Sequence, residues 1–226
     1  MQDNQGIELA KKAIEESIEV AKEFVGKLVN PGLEEGGGII QDTVKFWRFK
    51  NQINILVKAK EFLERKGLEP QKVLPKTLVP LLESGSLEED EVMQNRWIAL
   101  LANAANPNFV KTVRPSFVEM LKELSPEEAA ILDGIFNLVE AVPIPREEWL
   151  HRGAVGQTVK DKFDLDDAAF GLAVDNLYRL RLCQPPSTQL NFIDNREQRF
   201  QLQMKEIICI TDLGYAFVKA CRLPKD

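Results

Sequence analysis

The chain has little of what most catalytic and metal sites need. Its 226 residues include one histidine, His151, and three cysteines, and no two cysteines form a CxxC pair. The sequence therefore gives no support for a disulfide framework, a zinc knuckle or a multi-histidine metal site. No nucleophile motif lies near His151, which argues against Ser-His and Cys-His catalysis. We expect Cys183, Cys209 and Cys221 to be buried thiols, and we expect no catalytic residue, no metal and no cofactor.

Excess positive charge and long apolar runs are also missing. The net charge is −6 at pH 7, and neither half of the chain has more basic than acidic residues. Attraction to phosphate supplies most non-specific nucleic-acid affinity, so any basic surface must be local. The N-terminal residues lack the apolar segment of a signal peptide, and no window approaches the roughly 18 apolar residues that span a bilayer. These features predict a cytoplasmic protein without membrane contact.

The first half of the chain has the hydrophobic periodicity of helices. Apolar residues recur at three- and four-residue steps over 7–29 and 39–66, and a short helix follows Pro75 and ends at Gly85. Ser86, with Glu89 three residues later, has the pattern of a capping box. We therefore predict that Ser86 caps the next helix, and that residues 1–123 form an α-helical domain.

The stretch VKFWRFKNQI, residues 44–53, combines aromatic and basic residues within the second helix. Its periodicity assigns one apolar seam to Ile39, Phe46, Phe49, Ile53, Leu56 and Val57. Ile40, Val44 and Trp47 fall on a neighbouring strip, so the helix is apolar over a wide arc and needs two neighbours. The sequence leaves the exposure of Trp47 and Arg48 open. We take these two residues as candidate partner contacts, together with Lys50, Arg96 and Arg114.

The second half of the chain has a different sequence pattern, in which shorter helices are followed by alternating stretches. Ser125 and Pro126, followed by two acids, predict a helix start, which we take as the start of a second domain over 124–226. Short helices are expected over 146–163, a longer one over 166–183, a β-hairpin from 188–194 and 199–212, and a closing helix after Thr211. The predicted fold is therefore mainly α: an N-terminal multi-helix domain, then a winged-helix-like α+β domain with a β-hairpin wing.

The helix over 166–183 would be the DNA-reading element of such a winged helix. Asp164, Asp166 and Asp167 lie at the end that would enter the major groove, whereas Arg179 and Arg181 lie at the far end. Three carboxylates would oppose phosphate where a DNA reader supplies Arg, Lys, Asn or Gln. This pattern favours a protein-binding or structural winged helix over a sequence-specific DNA reader.

Four phrases in order carry a family resemblance. They are GLEEGGGIIQDTVKFWRFKNQINILVKAKEFLERKG, LVPLLESGSLEEDEVMQNRWIALLANAANP, VRPSFVEMLKELSPEEAAILD and the terminal ITDLGYAFVKAC. Together they resemble the bacterial abortive-infection alpha (Abi-alpha) family, which is linked to phage defence. The resemblance implies a soluble α-helical defence protein. It does not imply a reaction, and no catalytic residues are carried over from it.

Three functions are compatible with these features. The first is a non-enzymatic interaction protein of anti-phage defence that binds a protein partner, an effector or another copy of itself. The second is a nucleic-acid-binding winged-helix regulator that uses the local cations. The third is a hydrolase or nuclease with dispersed carboxylates, but these carboxylates lack a recognisable spacing to a base or a metal ligand. We expect the first.

Overall fold

A computed structural model describes residues 2–28, 46–109, 113–141, 154–155, 159, 165–185 and 207–223. Side chains are described from residue 12 onward in the first range and from residue 49 onward in the second, and only the backbone is described for 154–155. Eight helices and three short strands lie in these ranges, so the mainly helical class is confirmed. The chain forms two compact units, residues 1–122 with 220–226, and residues 123–219. The domain limits 1–123 and 124–226 stay predictions.

The described part of the first unit contains five helices. They are α1 (Gln2–Leu28), α2 (Phe46–Arg65), α3 (Pro75–Gly85), α4 (Glu91–Ala105) and α5 (Pro115–Lys122). Helix α2 packs against α1, α3 and α4, and α3 also contacts α4 and α5. The wide apolar arc of α2 explains its central place, because Ile55, Leu56 and Ala59 are all fully buried. The prediction that this helix needs at least two neighbours is confirmed.

Gly85, at the end of α3, packs tightly against α2 and α4. A Cβ added at this residue would lie 2.7 Å from Ile55 Cδ1 on α2 and 3.1 Å from Trp97 Cγ on α4. Both distances are tighter than ordinary van der Waals contact, so only glycine fits without a shift of these side chains. The end of α3 therefore helps to close the core of the first unit.

The predicted capping box at Ser86 is wrong. Ser86 is fully buried at the end of α3, and its hydroxyl donates to the carbonyl of Glu83 at 2.6 Å. Helix α4 instead begins at Glu91, and the Asp90 carboxylate accepts the Met93 N–H at 2.8 Å. A serine hydroxyl can serve the preceding helix as readily as the following one, and here the stronger acceptor Asp90 caps α4.

One buried amide holds the last described residues of the first unit. Asn103 on α4 is 1% exposed, and its Nδ2 donates to the carbonyls of Ala220 and Arg222, both at 2.9 Å. Carbonyls at a helix end have no partner within the helix. The Asn103 side chain therefore supplies hydrogen bonds that the end of the chain cannot make by itself.

The second unit is built on a small antiparallel sheet. Its elements are α6 (Pro126–Glu140), β1 (Ala154–Val155), α7 (Asp167–Arg179), β2 (Cys183–Gln184), β3 (Ile207–Ile210) and α8 (Asp212–Ala220). The strand order is β1-β3-β2, with Ala154 opposite Ile208 and Cys183 opposite Ile210. Helix α6 contacts α7 and β3, and α7 contacts β2. The central strand is thus β3.

Helix starts in this unit agree with the sequence. Ser125 Oγ accepts the Glu128 N–H at 3.2 Å, and Glu128 Oε2 accepts the Ser125 N–H at 2.8 Å. This reciprocal pair is a capping box. Asp166 caps α7 through its acceptance of the Ala169 N–H at 2.7 Å. Both starts depend on residues close together in sequence, which is why they could be predicted.

The end of α7 differs from the prediction. The sequence placed it at Cys183, whereas α7 ends at Arg179 and Cys183 lies in β2. Arg181 has a φ of 60°, and the Leu182 and Arg181 N–H groups donate to the carbonyls of Leu177 and Tyr178. This pair of bonds is the Schellman motif that ends many helices. Glycine usually occupies the left-handed position of this motif, so the arginine at that position did not indicate a helix end in the sequence.

The predicted β-hairpin is only partly covered. Strand β3 falls within the predicted second strand, 199–212, whereas the predicted first strand, 188–194, lies outside the described residues. The observed partners of β3 are β2 and β1, and neither was predicted as a strand. Each has two residues, too few for an alternating pattern to be recognised. The predicted short helices over 146–163 lie almost entirely outside the described residues.

Candidate functional site

The five candidate contact residues have different surroundings. Lys50 on α2 and Arg114 before α5 are exposed. Arg96 on α4 is buried, with 6% of its surface accessible, so its guanidinium lies inside the first unit rather than on its surface. The side chains of Trp47 and Arg48 lie outside the described residues. Lys50 also lines a groove.

That groove lies between α1 and α2. It has a volume of about 430 Å³, and we call it the α1–α2 groove. Its apolar side chains are Ala13, Ile14, Phe49, Ile53 and Val57, and its polar ones are Ser17, Lys50 and Asn54. Ile14 is 44% exposed, so apolar surface remains open to solvent along it. The periodicity of each helix predicted the apolar faces, but not that the gap between them stays unfilled.

The polar side chains of the α1–α2 groove differ in what they can still bind. The Ser17 hydroxyl already donates to the Ala13 carbonyl at 2.8 Å, and the Asn54 amide donates to Gln94 Oε1 at 3.5 Å. None of the ion pairs among the described residues involves Lys50. Lys50 is therefore the group in this groove that is ready to meet an anion.

A second exposed surface is the outer face of α7. It consists of Ala168, Gly171, Leu172 and Asp175, which are exposed residues at the spacing of one helix face. Leu172 is 72% exposed. We call these four residues the α7 outer face. Such a face offers a large apolar side chain beside two small residues, and one carboxylate.

The last turn of α7 carries a cation, Arg179. Arg179 forms an ion pair with Glu123, and its guanidinium also donates to Asn176 Oδ1 at 2.9 and 2.7 Å. At the helix start, Asp166 and Asp167 are exposed. Acidic and apolar groups thus occupy the start and the outer face of α7.

The acidic run at the start of α4 acts as a helix cap. Glu88 Oε1 accepts the N–H groups of Glu89 and Asp90, both at 3.1 Å, and Asp90 accepts that of Met93. Carboxylates at this end also complement the helix dipole. Across the described ranges, no group of three His, Cys, Asp or Glu residues could hold a metal ion.

The three cysteines are free and buried, as predicted. Burial raises the pKa of the Cys183 thiol far above its ordinary value, and it raises the pKa of Cys209 to about 11. Both groups are therefore neutral thiols near pH 7, and only the thiolate is a strong nucleophile. His151, the other group considered for nucleophilic catalysis, lies outside the described residues.

A cluster of polar groups joins α6 to α8. The Tyr215 hydroxyl donates to Glu140 Oε1, and Lys219 Nζ lies 3.9 Å from the same carboxylate oxygen and 4.7 Å from the centre of the Tyr215 ring. Phe136 stacks on that ring, with 5.0 Å between the centroids. Burial, followed by the hydrogen bond to Glu140, raises the pKa of Tyr215. The cluster holds the two helices together.

The fold and these surfaces define a mainly helical protein with a small antiparallel sheet. The family model described as abortive infection alpha matches residues 50–221, most of the chain. The chain belongs to this family, and the resemblance seen in the sequence is confirmed. No curated protein and no solved structure matches the chain. No helix in the described part of the chain is long and apolar enough to cross a membrane.

Proposed function

We propose that this abortive-infection protein catalyses no reaction and acts by binding a partner protein through the α7 outer face. The single observation that carries this proposal is the chemistry of that face, where Leu172 is 72% exposed beside Ala168 and Gly171. Small residues let another protein surface approach closely, and a large apolar side chain supplies contact energy on burial.

The partner surface that fits is apolar with basic residues around it. Asp175 lies on the α7 outer face, and Asp166 and Asp167 lie beside it at the helix start. Complementary charges favour association and select the partner. A second copy of the chain would instead place these carboxylates against each other, so charge favours a different protein over self-association.

We further propose that the second unit is a winged helix in which α7 is the third helix. The antiparallel β2–β3 pair that follows α7, with β1 on the other side of β3, supports this assignment. Winged helices belong to the helix-turn-helix group, whose recognition helix enters the major groove in DNA readers. In this chain the same helix would serve a protein contact, since a fold does not fix its function. We place the protein in the cytoplasm, where phage components are made.

The test is site-specific photo-crosslinking in cells, before and after phage infection. A benzoylphenylalanine replaces Leu172 on α7 or, as the matched control, Leu138 on α6, which is 51% exposed in the same unit. We expect a crosslinked protein with a basic surface from position 172 and none from position 138. Crosslinks to a second copy of the chain alone would indicate self-association instead of a different partner protein. The absence of any crosslink both before and after infection would refute the proposal.

A charge substitution separates this function from the nucleic-acid alternative. Leu172→Lys removes the apolar contact and repels a basic partner, so we expect loss of the crosslinked partner and of protection against phage, with Leu138→Lys close to wild type. A nucleic-acid reader would respond in the opposite way, because an added cation strengthens phosphate binding. Stronger retention of duplex DNA by Leu172→Lys at low salt, with protection intact, would therefore favour the alternative.

A further inference from the structure

We propose that the α1–α2 groove binds a free single-chain amphiphile with an anionic head group, such as a fatty carboxylate. The alkyl chain would lie along the apolar side chains of the groove, and the head group would meet Lys50. This site is separate from the α7 outer face and does not depend on the function proposed for that face.

The size of the groove fits a small ligand. Its volume of about 430 Å³ falls in the range of small-molecule sites, about 300–1,000 Å³. Phe49 and Val57 mark its extent along α2, and at 1.5 Å per residue they are about 12 Å apart along the helix axis. A medium-length alkyl chain fits this distance.

The lining of the groove selects an amphiphile. Apolar side chains on both helices, among them Ile14 and Ile53, gain free energy when an alkyl chain removes them from water. Lys50 supplies positive charge at the Phe49 end, and it has no ion-pair partner among the described residues. None of the described residues that line the groove is a carboxylate. Within a chain of net charge −6, this is a local site where an anion is not repelled by a lining residue.

A small ligand explains the groove better than a partner helix does. Eight described residues line the groove, whereas a stable protein interface involves about 20–30 residues on each side. The groove also lies between two helices that are in contact with each other, so it is a gap between side chains. A whole helix, about 10–12 Å wide, needs a broader surface.

The test uses the full chain and dansyl-undecanoate, a fluorescent single-chain carboxylate, below its micelle concentration. We expect its fluorescence to rise on binding, and decanoate to displace it. We also expect decanoate to compete more strongly than decyltrimethylammonium, which has the same chain length and the opposite charge. An exposed ion pair changes affinity by up to about fivefold, so the preference for the anion should be of that order.

Two charge variants locate the head group. Lys50→Glu should abolish or reverse the preference for decanoate. Lys58→Glu changes the net charge by the same amount at an exposed residue of α2 that does not line the groove, and it should keep the preference. Ile14→Asn should weaken both competitors, because it removes apolar lining.

Four results would overturn the proposal. They are no rise in dansyl fluorescence, equal competition by the anionic and cationic competitors, equal behaviour of Lys50→Glu and Lys58→Glu, and binding to phosphatidylglycerol vesicles without displacement by decanoate. The last result would mean that Lys50 meets a membrane surface rather than a free amphiphile. Circular dichroism of each variant checks that the helices are intact.

Discussion

Replacing Gly214 by alanine tests the closest backbone approach in the second unit. Gly214 lies in the first turn of α8, and a Cβ added there would lie 2.0 Å from the carbonyl oxygen of Leu182 and 3.1 Å from Ile210 Cγ1. The same oxygen accepts the Thr211 N–H at 3.0 Å, and the Thr211 hydroxyl donates to the neighbouring Arg181 carbonyl at 2.6 Å. The start of α8 therefore cannot move away from residue 182 without weakening these bonds.

The expected loss of stability follows from three contributions. A carbon atom approaches a carbonyl oxygen no closer than about 3.3–3.6 Å. The added Cβ and the Leu182 oxygen must therefore move apart by more than about 1 Å. Overpacking of this kind costs about 1–3 kcal/mol, and two weakened hydrogen bonds cost about 0.5–1.5 kcal/mol each. Alanine regains about 1 kcal/mol over glycine within a helix. We expect a net loss of about 3 kcal/mol for Gly214→Ala.

Urea unfolding followed by circular dichroism measures this loss, and a thermal scan should show a melting temperature lower by roughly 6–12 °C. Gly171→Ala on α7 is the matched control, because a Cβ there would meet no atom within 4 Å. This variant should be as stable as wild type or more stable, by up to about 1 kcal/mol. A Gly214→Ala protein as stable as the Gly171→Ala control would refute the reasoning.

Three further predictions concern local features of the second unit. Ser125→Ala removes the hydroxyl that caps α6 and should cost about 1 kcal/mol in urea unfolding, with Ser125→Asp close to wild type; equal losses would contradict the cap. Arg181→Gly relieves a φ of 60° and should stabilise by at most about 1 kcal/mol, so a destabilised variant would argue against the left-handed conformation. Burial raises the pKa of Tyr178 to about 12 from 10.0. Because Tyr178 ionises at a lower pH in the unfolded chain than in the folded protein, the stability contributed by its neutral phenol is complete below pH 10 and is lost as the pH rises towards 12. Tyr178→Phe should lose less stability than wild type between pH 10 and 12. An equal loss in the two proteins would contradict this prediction.

Features set by neighbouring residues could be predicted from the sequence. The cap at Ser125 and the start of α7 at Asp166 both depend on a side chain and a backbone N–H three residues later. The end of α7 was missed because its left-handed residue is Arg181, whereas the usual signal is glycine. At Ser86 the pattern was present, but Asp90 takes the capping role. Local rules therefore located the helices better than their ends.

Features that join distant parts of the chain could not be predicted. The α1–α2 groove needs Ile14 and Ile53 to face the same gap, and helical periodicity gives the apolar face of each helix without their separation. Buried Gln52 lies 3.5 Å from its acceptor, the Leu82 carbonyl on another helix. Arg96 was placed among surface cations because charged residues are seldom buried, yet it lies in the core.

The hydrogen bonds of Asn103 have a consequence for how the protein is made. Their acceptors, Ala220 and Arg222, belong to the first unit although the whole second unit is synthesised between them and Asn103. The ribosome therefore synthesises the whole second unit before residue 220 exists, and the first unit gains these bonds only afterwards. Each buried donor left unsatisfied costs about 1–3 kcal/mol, so completion of the first unit waits for synthesis of the second.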